Sequence, residues 1–204
     1  MRISHAHRFV FLSNTQSGSS SIRKLPDPYS DIKSSAEKPY RHHVNARTLK
    51  QHFEEMGWDW SSYFKFTTVR NPWDRMVGRY HYGLKNRNSV WHDPAMRAGS
   101  FPQFLADPYV SRVSPKSSGL KTFAYSQDGE CLVDRILKLE DITTTLPQLL
   151  RELDIPVRSI PHENRTRHRH YSTYYDEVNR ELVRGWFLVD IEVGGYVFEQ
   201  QSVE

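Results

Sequence analysis

A run of small polar residues follows directly on an apolar segment near the start of the chain. The run is SNTQSGSSS at positions 13–21, and the apolar segment is Phe9–Leu12. Backbone N–H groups and hydroxyls that converge in such a turn, just before a helix, can bind an anion. The run is not a nucleotide-triphosphate loop, because Gly18 is followed by serine and no lysine stands beside it. Taken alone, it is either an anion site or an ordinary polar turn.

A second segment with chemical potential is VRNPWDR at positions 69–75. Arg70 stands at the end of the strand-forming residues Phe64–Val69, and ligands of open α/β sheets bind at the carboxyl ends of strands. A guanidinium there can bind a phosphate in a bidentate manner. Asp74 could cap the following helix or hold an arginine in place. If the segment stood alone, a surface ion pair at a helix start would be the simpler explanation.

The elements that must position these segments alternate between strands and helices. The patterns predict strands at Phe9–Leu12, Phe64–Val69, Leu132–Leu139 and Gly195–Phe198, and helices at 46–56, from Trp73, from Ile142 to Leu153 and at 176–190. Residues 25–45 and most of 86–130 are predicted to be loop, with a short helix at Phe101–Leu105. The prediction is one α/β domain over residues 1–204, with a central parallel sheet flanked by helices.

Composition narrows the classes of function. Hydrophobic residues make up 37% of the 204, and no apolar run approaches the roughly 20 residues that span a bilayer. The single cysteine, Cys131, excludes an internal disulfide framework, so we expect a cytoplasmic protein without a membrane partner. No Cys/His set has the spacing of zinc ligands, and no metal is expected.

The formal net charge of +4 favours anionic partners, either a phosphorylated ligand or a nucleic acid. A strand–Arg–Asn–Pro–helix segment offers no reason for groove binding, so a nucleic-acid-binding module ranks last among the alternatives. A kinase would need the lysine of a phosphate loop and carboxylates placed to hold a metal ion, and neither is evident.

Together these segments resemble the carbohydrate-type, family 2 sulfotransferases. Their first loop typically reads I-P-K-T-G-G-T-S, to be compared with Phe9–Lys24, and their second site reads F-x-F-V-R-N-P-W-D-R-x-V-S-x-Y, which Lys65–Tyr82 matches closely. Leu139–Asp141 fits the family's R-F-E-x-L segment, and residues 164–176 resemble its late basic stretch. The resemblance covers most of the chain and is weakest across 86–130.

The resemblance implies a P-loop-NTPase-like sulfotransferase fold and a reaction. A sulfuryl group would pass from 3′-phosphoadenosine 5′-phosphosulfate (PAPS) to a hydroxyl or amine of a carbohydrate or small-molecule acceptor, by in-line displacement and without a metal. The 5′-phosphosulfate would be held by Ser17, Gly18, Ser19, Ser20 and Ser21. Arg70 would bind the 3′-phosphate. Arg165 or Arg167 could fold over that phosphate or meet an anionic acceptor, although both also fit a solvated basic strip.

The reaction also needs a base for the acceptor proton. The run YRHHV at 40–44 resembles the histidine segment that carries the base in polysaccharide 2-O-sulfotransferases. On that pattern His43 is the first candidate and His42 the second. Histidine suits proton transfer near neutral pH. The alternative is that one or both are exposed loop histidines, since the chain has ten.

Two positions depart from the family pattern. Gln16 takes the place of the loop lysine that is thought to stabilise the leaving group, and it brings no charge. Another cation could replace it (Arg23, Lys24 or an arginine of 165–169), the enzyme could be slow, or the protein could bind PAPS or its product without turnover. We favour the first. Gly78 stands where the family usually has a serine that shares the 3′-phosphate, which either close backbone approach or tight packing explains.

Overall fold

The computed structural model describes residues 1–156 and 168–200. The chain has an α/β fold with one open, mixed, five-stranded sheet flanked by helices. It divides into two compact units: a sheet unit of Met1–Val69 with Leu120–Asn164, and a helical unit of Arg70–Gly119 with Arg165–Glu204. In the described ranges no helix combines the length and apolar character needed to cross a membrane.

The sheet runs in the order β3-β1-β2-β4-β5. Its strands are β1 (Arg2–Ser4), β2 (Phe9–Leu12), β3 (Ile32–Lys33), β4 (Phe64–Val69) and β5 (Arg135–Lys138). The predicted parallel arrangement is confirmed for β2, β4 and β5. The sheet as a whole is mixed, because β1 lies antiparallel to both β2 and β3. Neither β1 nor β3 was predicted, and β5 is shorter than the expected strand.

The α-helices described in the sheet unit are α1 (Ser19–Arg23), α2 (Ala46–Glu55), α7 (Leu120–Phe123) and α8 (Ile142–Glu152). Phe9 and Phe11 of β2 share a buried cluster with Phe66 of β4. Leu146, Leu149 and Leu150 complete it from α8, as their helical spacing predicts. Because residues i and i+2 of a strand face the same side, this cluster fixes the register of β2 against β4.

The helical unit is built around the long helix α3. Its helices are α3 (Pro72–Lys85), α4 (His92–Ala98), α5 (Phe101–Ala106), α6 (Pro108–Ser118), α9 (Glu177–Trp186) and α10 (Leu188–Gly194). Trp73, Val77 and Tyr80 of α3 are buried in the core of this unit, which confirms the apolar stripe seen in the sequence. The short helix predicted at Phe101–Leu105 is confirmed as α5, and the helix predicted at 176–190 is confirmed apart from a break at Phe187 between α9 and α10. Two predictions were wrong: α4, α6 and α7 lie where loop was expected in 86–130, and residues 195–198 form no strand.

Two fully buried arginines of α3 anchor the helical unit. Arg75 Nη1 donates to the carbonyl oxygen of Ser118 at 3.0 Å, and its Nη2 lies 2.9 Å from Asp190 Oδ1 as an ion pair. Arg79 donates to the Ser118 hydroxyl at 3.0 Å. Burial, followed by the charge of Arg75, lowers the pKa of Arg79 to about 9. These contacts tie α3 to the end of α6 and to α10.

Candidate functional site

The predicted donor loop leaves the sheet beside the end of β4. Strands β2 and β4 are parallel neighbours, with Leu12 opposite Thr67. Their carboxyl ends therefore lie at the same edge of the sheet, the edge where ligands of such sheets bind. Ser13 continues the chain from β2, and Arg70 continues it from β4. Both segments therefore continue from strand ends that lie at this edge of the sheet unit.

Side chains of β4 hold the start of the loop in place. Thr67 Oγ1 donates to the carbonyl oxygen of Leu12 at 2.7 Å, and Thr68 Oγ1 donates to that of Ser17 at 2.9 Å. In the other direction, Asn14 Nδ2 donates to the carbonyl oxygen of Thr68 at 3.4 Å. Since Asn14, Ser17 and both threonines are buried, these hydrogen bonds fix the loop against the strand.

The loop closes through two residues with left-handed backbone. Gly18 has a φ of +73°, and a Cβ added there would lie 2.3 Å from Leu139 Cδ1. Its carbonyl oxygen accepts from the N–H groups of Ser21 and Ile22, both at 3.1 Å, which starts α1. Gln16 has a φ of +54°, a conformation that costs a non-glycine residue about 1–2 kcal/mol. Such strain is often found where a loop is shaped for a ligand.

The five predicted donor-binding residues lie together at this turn. Ser17, Ser19 and Ser21 are buried, whereas Ser20 is half-buried. The Ser17 hydroxyl donates to the carbonyl oxygen of Thr15 at 3.3 Å, so the backbone N–H is the group through which Ser17 would meet a ligand. Helix α1 has only five residues, so its macrodipole is small. The N–H group of Ser21 already donates to Gly18, so it is not among the donors that could bind an anion at this turn.

The structure brings His43 to the loop that follows β2. Its Nδ1 lies 2.7 Å from the carbonyl oxygen of Ser13. Because a carbonyl oxygen only accepts, Nδ1 carries the hydrogen in the neutral ring, and Nε2 keeps its lone pair. Desolvation lowers the pKa of His43 even though the residue keeps an exposed surface, and the hydrogen bond to Ser13 partly opposes that shift. A neutral imidazole whose Nε2 carries a lone pair is the state that a general base requires.

His42 has the opposite arrangement of its ring nitrogens. Arg23 Nη1 lies 2.6 Å from His42 Nδ1, and the Ser34 hydroxyl lies 2.8 Å from the same atom. A guanidinium only donates, so Nδ1 of His42 accepts and the ring hydrogen is on Nε2. Partial burial, followed by the charge of Arg23, lowers the pKa of His42. Neither nitrogen of His42 is therefore available to accept a proton in this state.

Arg23 places a positive charge next to both histidines. It is the last residue of α1 and half-buried, and its charge contributes to the lowered pKa of His43 as well as that of His42. Burial and the nearby charge of Arg2 lower the pKa of Arg23. Lys24, the other cation that the sequence suggested, is exposed. Of the cations considered as substitutes for a loop lysine, Arg23 is thus placed beside the candidate base.

In the helical unit, Arg70 forms an ion pair at the start of α3. Its Nε and Nη2 donate to Asp74 Oδ2 at 2.9 and 2.6 Å, and both side chains are largely buried. Asn71 caps the helix, since its Oδ1 accepts from the N–H groups of Trp73 and Asp74. Tyr175 Oη donates to the carbonyl oxygen of Trp73 at 2.9 Å, and burial followed by the Asp74 charge raises its pKa well above the usual range.

The other predicted site residues have simpler placements. Gly78 is buried within α3. Arg165 and Arg167 lie outside the described residues.

Sequence reasoning missed a group of rings next to Asp74. His168 Nε2 lies 3.6 Å from Asp74 Oδ1, and its ring stacks on His81 at a centroid distance of 5.5 Å. His81 Nε2 lies 2.8 Å from the hydroxyl of Tyr174. The signal in the sequence was helical spacing, because positions 74, 78 and 81 lie on one face of α3. A side chain that contacts both Asp74 and His81 therefore also lies across Gly78.

No metal site or known relative adds to this description. In residues 1–156 and 168–200, no group of three or more His, Cys, Asp or Glu side chains is placed to hold a metal ion. Comparison of the chain with protein-family models, with curated proteins and with solved structures gives no match.

Proposed function

We propose that the protein is a sulfotransferase that uses PAPS as donor and a hydroxyl or amine as acceptor. The loop after β2 binds the 5′-phosphosulfate, Arg70 binds the 3′-phosphate, and His43 is the base. The proposal combines the sequence resemblance with the parallel pairing of β2 and β4, which puts the two strand ends that precede these segments at one edge of the sheet.

The observation that carries the proposal is the contact between His43 and the donor loop. The two were chosen as candidates from segments 30 residues apart in the sequence, and Nδ1 of His43 lies 2.7 Å from the carbonyl oxygen of Ser13. The same contact selects the tautomer whose Nε2 accepts a proton, whereas Nδ1 of His42 is occupied by Arg23. This difference supports His43 rather than His42 as the base.

In the proposed reaction, the acceptor oxygen or nitrogen attacks sulfur opposite the 5′-phosphate oxygen. His43 Nε2 takes the acceptor proton as the new bond to sulfur forms. The bond between sulfur and the bridging oxygen breaks, and adenosine 3′,5′-bisphosphate leaves with the electron pair. Charge that develops on the bridging oxygen needs donors already in place, which the loop N–H groups would supply.

Gln16 supplies no positive charge for that step, and Arg23 is our candidate for the missing cation. A neutral donor is about half as strong as a charge-assisted one. Arg23 lies within hydrogen-bond distance of His42, and its positive charge contributes to the lowered pKa of His43. The second candidate function, binding of PAPS or its product without turnover, is favoured by one observation, the uncharged side chain at position 16.

The test is transfer of labelled sulfuryl from PAPS to a panel of alcohols, phenols, amines and oligosaccharides, with wild type and His43→Gln. We expect turnover in wild type and a loss of about 100-fold in the variant, the usual contribution of a general base. The matched control is His7→Gln, because His7 Nδ1 also lies near a backbone carbonyl oxygen, that of Leu153 at 3.2 Å. Bound donor without transfer to any acceptor would favour the binding protein, and equal rates in all three proteins would exclude His43 as the base.

A further inference from the structure

A cluster of charged side chains lies at the start of α3. The proposed reaction assigns a role to only one of them, Arg70. Two N–H groups of Arg70 converge on a single oxygen of Asp74, Oδ2, while the other oxygen, Oδ1, faces His168. We propose that Asp74, held by His168, is the positioning residue that orients the Arg70 guanidinium for the 3′-phosphate. This inference rests on the proposed function, because that function assigns the phosphate to Arg70.

The helix start fixes where the Asp74 carboxylate lies. Asn71 Oδ1 accepts from the backbone N–H groups of Trp73 and Asp74 at 3.0 and 3.3 Å. Pro72 at the first helical position restricts the backbone further. An arginine side chain has many rotamers, and a carboxylate on a capped helix selects the few that keep both hydrogen bonds. The exposed fractions of 19% for Arg70 and 28% for Asp74 distinguish this pair from a mobile surface pair.

His168 lies beside the second oxygen of the carboxylate. Its side chain is 9% exposed, and its Nε2 lies 3.6 Å from Asp74 Oδ1. The ring stacks on His81 with an angle of 14° between the planes, and Tyr174 meets both imidazoles edge-on. Burial, followed by the charge of His168, lowers the pKa of His81. The imidazole of His168 is thus fixed between α3 and Tyr174, and it limits rotation of the Asp74 side chain.

The sign of one substitution separates positioning from plain electrostatics. A carboxylate close to a bound phosphate repels it, so Coulomb's law alone predicts that Asp74→Asn tightens phosphate binding. If Asp74 orients Arg70, the same substitution weakens binding. A role confined to the helix start predicts a change in unfolding but no change in the preference among nucleotides.

The experiment is a double-mutant cycle read by calorimetric titration with adenosine 3′,5′-bisphosphate and with AMP, which lacks the 3′-phosphate. We expect Asp74→Asn to lower affinity for the bisphosphate about 10-fold and to leave AMP affinity unchanged. In the Arg70→Ala background, Asp74→Asn should have an effect of less than about 2-fold. His168→Gln, which leaves the helix cap intact, should give a smaller loss, about 3-fold, again only for the bisphosphate.

The matched control is Asp93→Asn, which removes an exposed carboxylate from the first turn of α4 in the same unit. Tighter bisphosphate binding in Asp74→Asn, equal losses for both nucleotides, or a full effect in the Arg70→Ala background would each overturn the positioning role. None of these results would contradict the proposed function, provided that the wild-type protein binds the bisphosphate more tightly than AMP. A wild type that binds both nucleotides equally would overturn the function and the inference together.

Discussion

In the proposed function, the loop after β2 and the segment after β4 each bind an anion, but by different means. The loop, Ser13–Ser21, contains no charged side chain and depends on backbone N–H groups and hydroxyls that threonines of β4 hold in place. The segment from Arg70 onward uses a guanidinium that a carboxylate holds. The first depends on backbone shape and the second on side-chain charge, so different substitutions should damage them.

The largest expected effect concerns the anchoring of α3, the helix that begins two residues after Arg70. Asp190→Ala should destabilise the protein by about 3–5 kcal/mol, because it leaves the fully buried Arg75 without its carboxylate. The measurement is urea unfolding. Glu54→Ala, which breaks the exposed pair between Lys50 and Glu54, is the control and should cost no more than about 0.5 kcal/mol. Similar costs for the two variants would show that the buried pair does not anchor the helix.

The next effect tests whether Arg23 supplies the positive charge that the uncharged loop lacks. Arg23→Gln should lower the rate of sulfuryl transfer about 100-fold, the loss typical of one transition-state donor. Adding Gln16→Lys to that variant should restore most of the rate, since it returns a charge to the loop. Single-turnover transfer from labelled PAPS measures both. An unchanged rate in Arg23→Gln would remove Arg23 from the mechanism.

A smaller effect is expected from the shape of the loop. Gly18→Ala should cost about 1–2 kcal/mol of stability from its positive φ and the contact with Leu139 Cδ1. Gly57→Ala is the control, because Gly57 has a φ of +68° and no atom within 4 Å of an added Cβ. The excess loss in Gly18→Ala, measured by thermal unfolding, isolates the contact. A larger loss in Gly57→Ala would contradict the packing that we describe.

The smallest effect is a shift in pH dependence. Desolvation places the pKa of His43 below its usual 6.5, so the neutral base persists to lower pH than in an ordinary histidine. The acid limb of kcat/KM should therefore lie below pH 6.5, and His43→Gln should abolish it. A limb above pH 6.5 would mean that another group, or a charged partner of His43, controls the rate.

The sequence predicted elements whose signal is local and repeated. The run Phe9–Leu12, the strand Phe64–Val69 and the apolar stripe of α3 all appear where periodicity put them. Two strands, β1 and β3, have only three and two residues, too few for alternation to be visible. Helices need a longer stretch for the same reason, and α4 and α7 have only seven and four residues.

Prolines and aromatic residues explain the other errors. Pro108 stands in the first turn of α6, where proline starts a helix instead of breaking one. Tyr196 and Phe198 suggested a strand, yet each packs as a single ring against the helical unit. Aromatic side chains are favoured on half-buried surfaces in general, so the presence of two of them can suggest a strand where none forms.

The sequence could predict only those parts of the candidate site that lie within one continuous segment. Gly18 and Arg70 could be chosen from their own neighbours. The contact of His43 with Ser13 joins residues 30 apart, and that of His168 with Asp74 joins residues 94 apart in the numbering. Contacts of this kind depend on how the chain folds back, so spacing alone does not show them.

The most direct test is calorimetric titration of the wild-type protein with adenosine 3′,5′-bisphosphate and with AMP under identical salt. We predict that the bisphosphate binds at least about 100-fold more tightly, the value of one additional charge-assisted phosphate contact. Equal affinity for the two nucleotides, or no binding of either, would contradict the account.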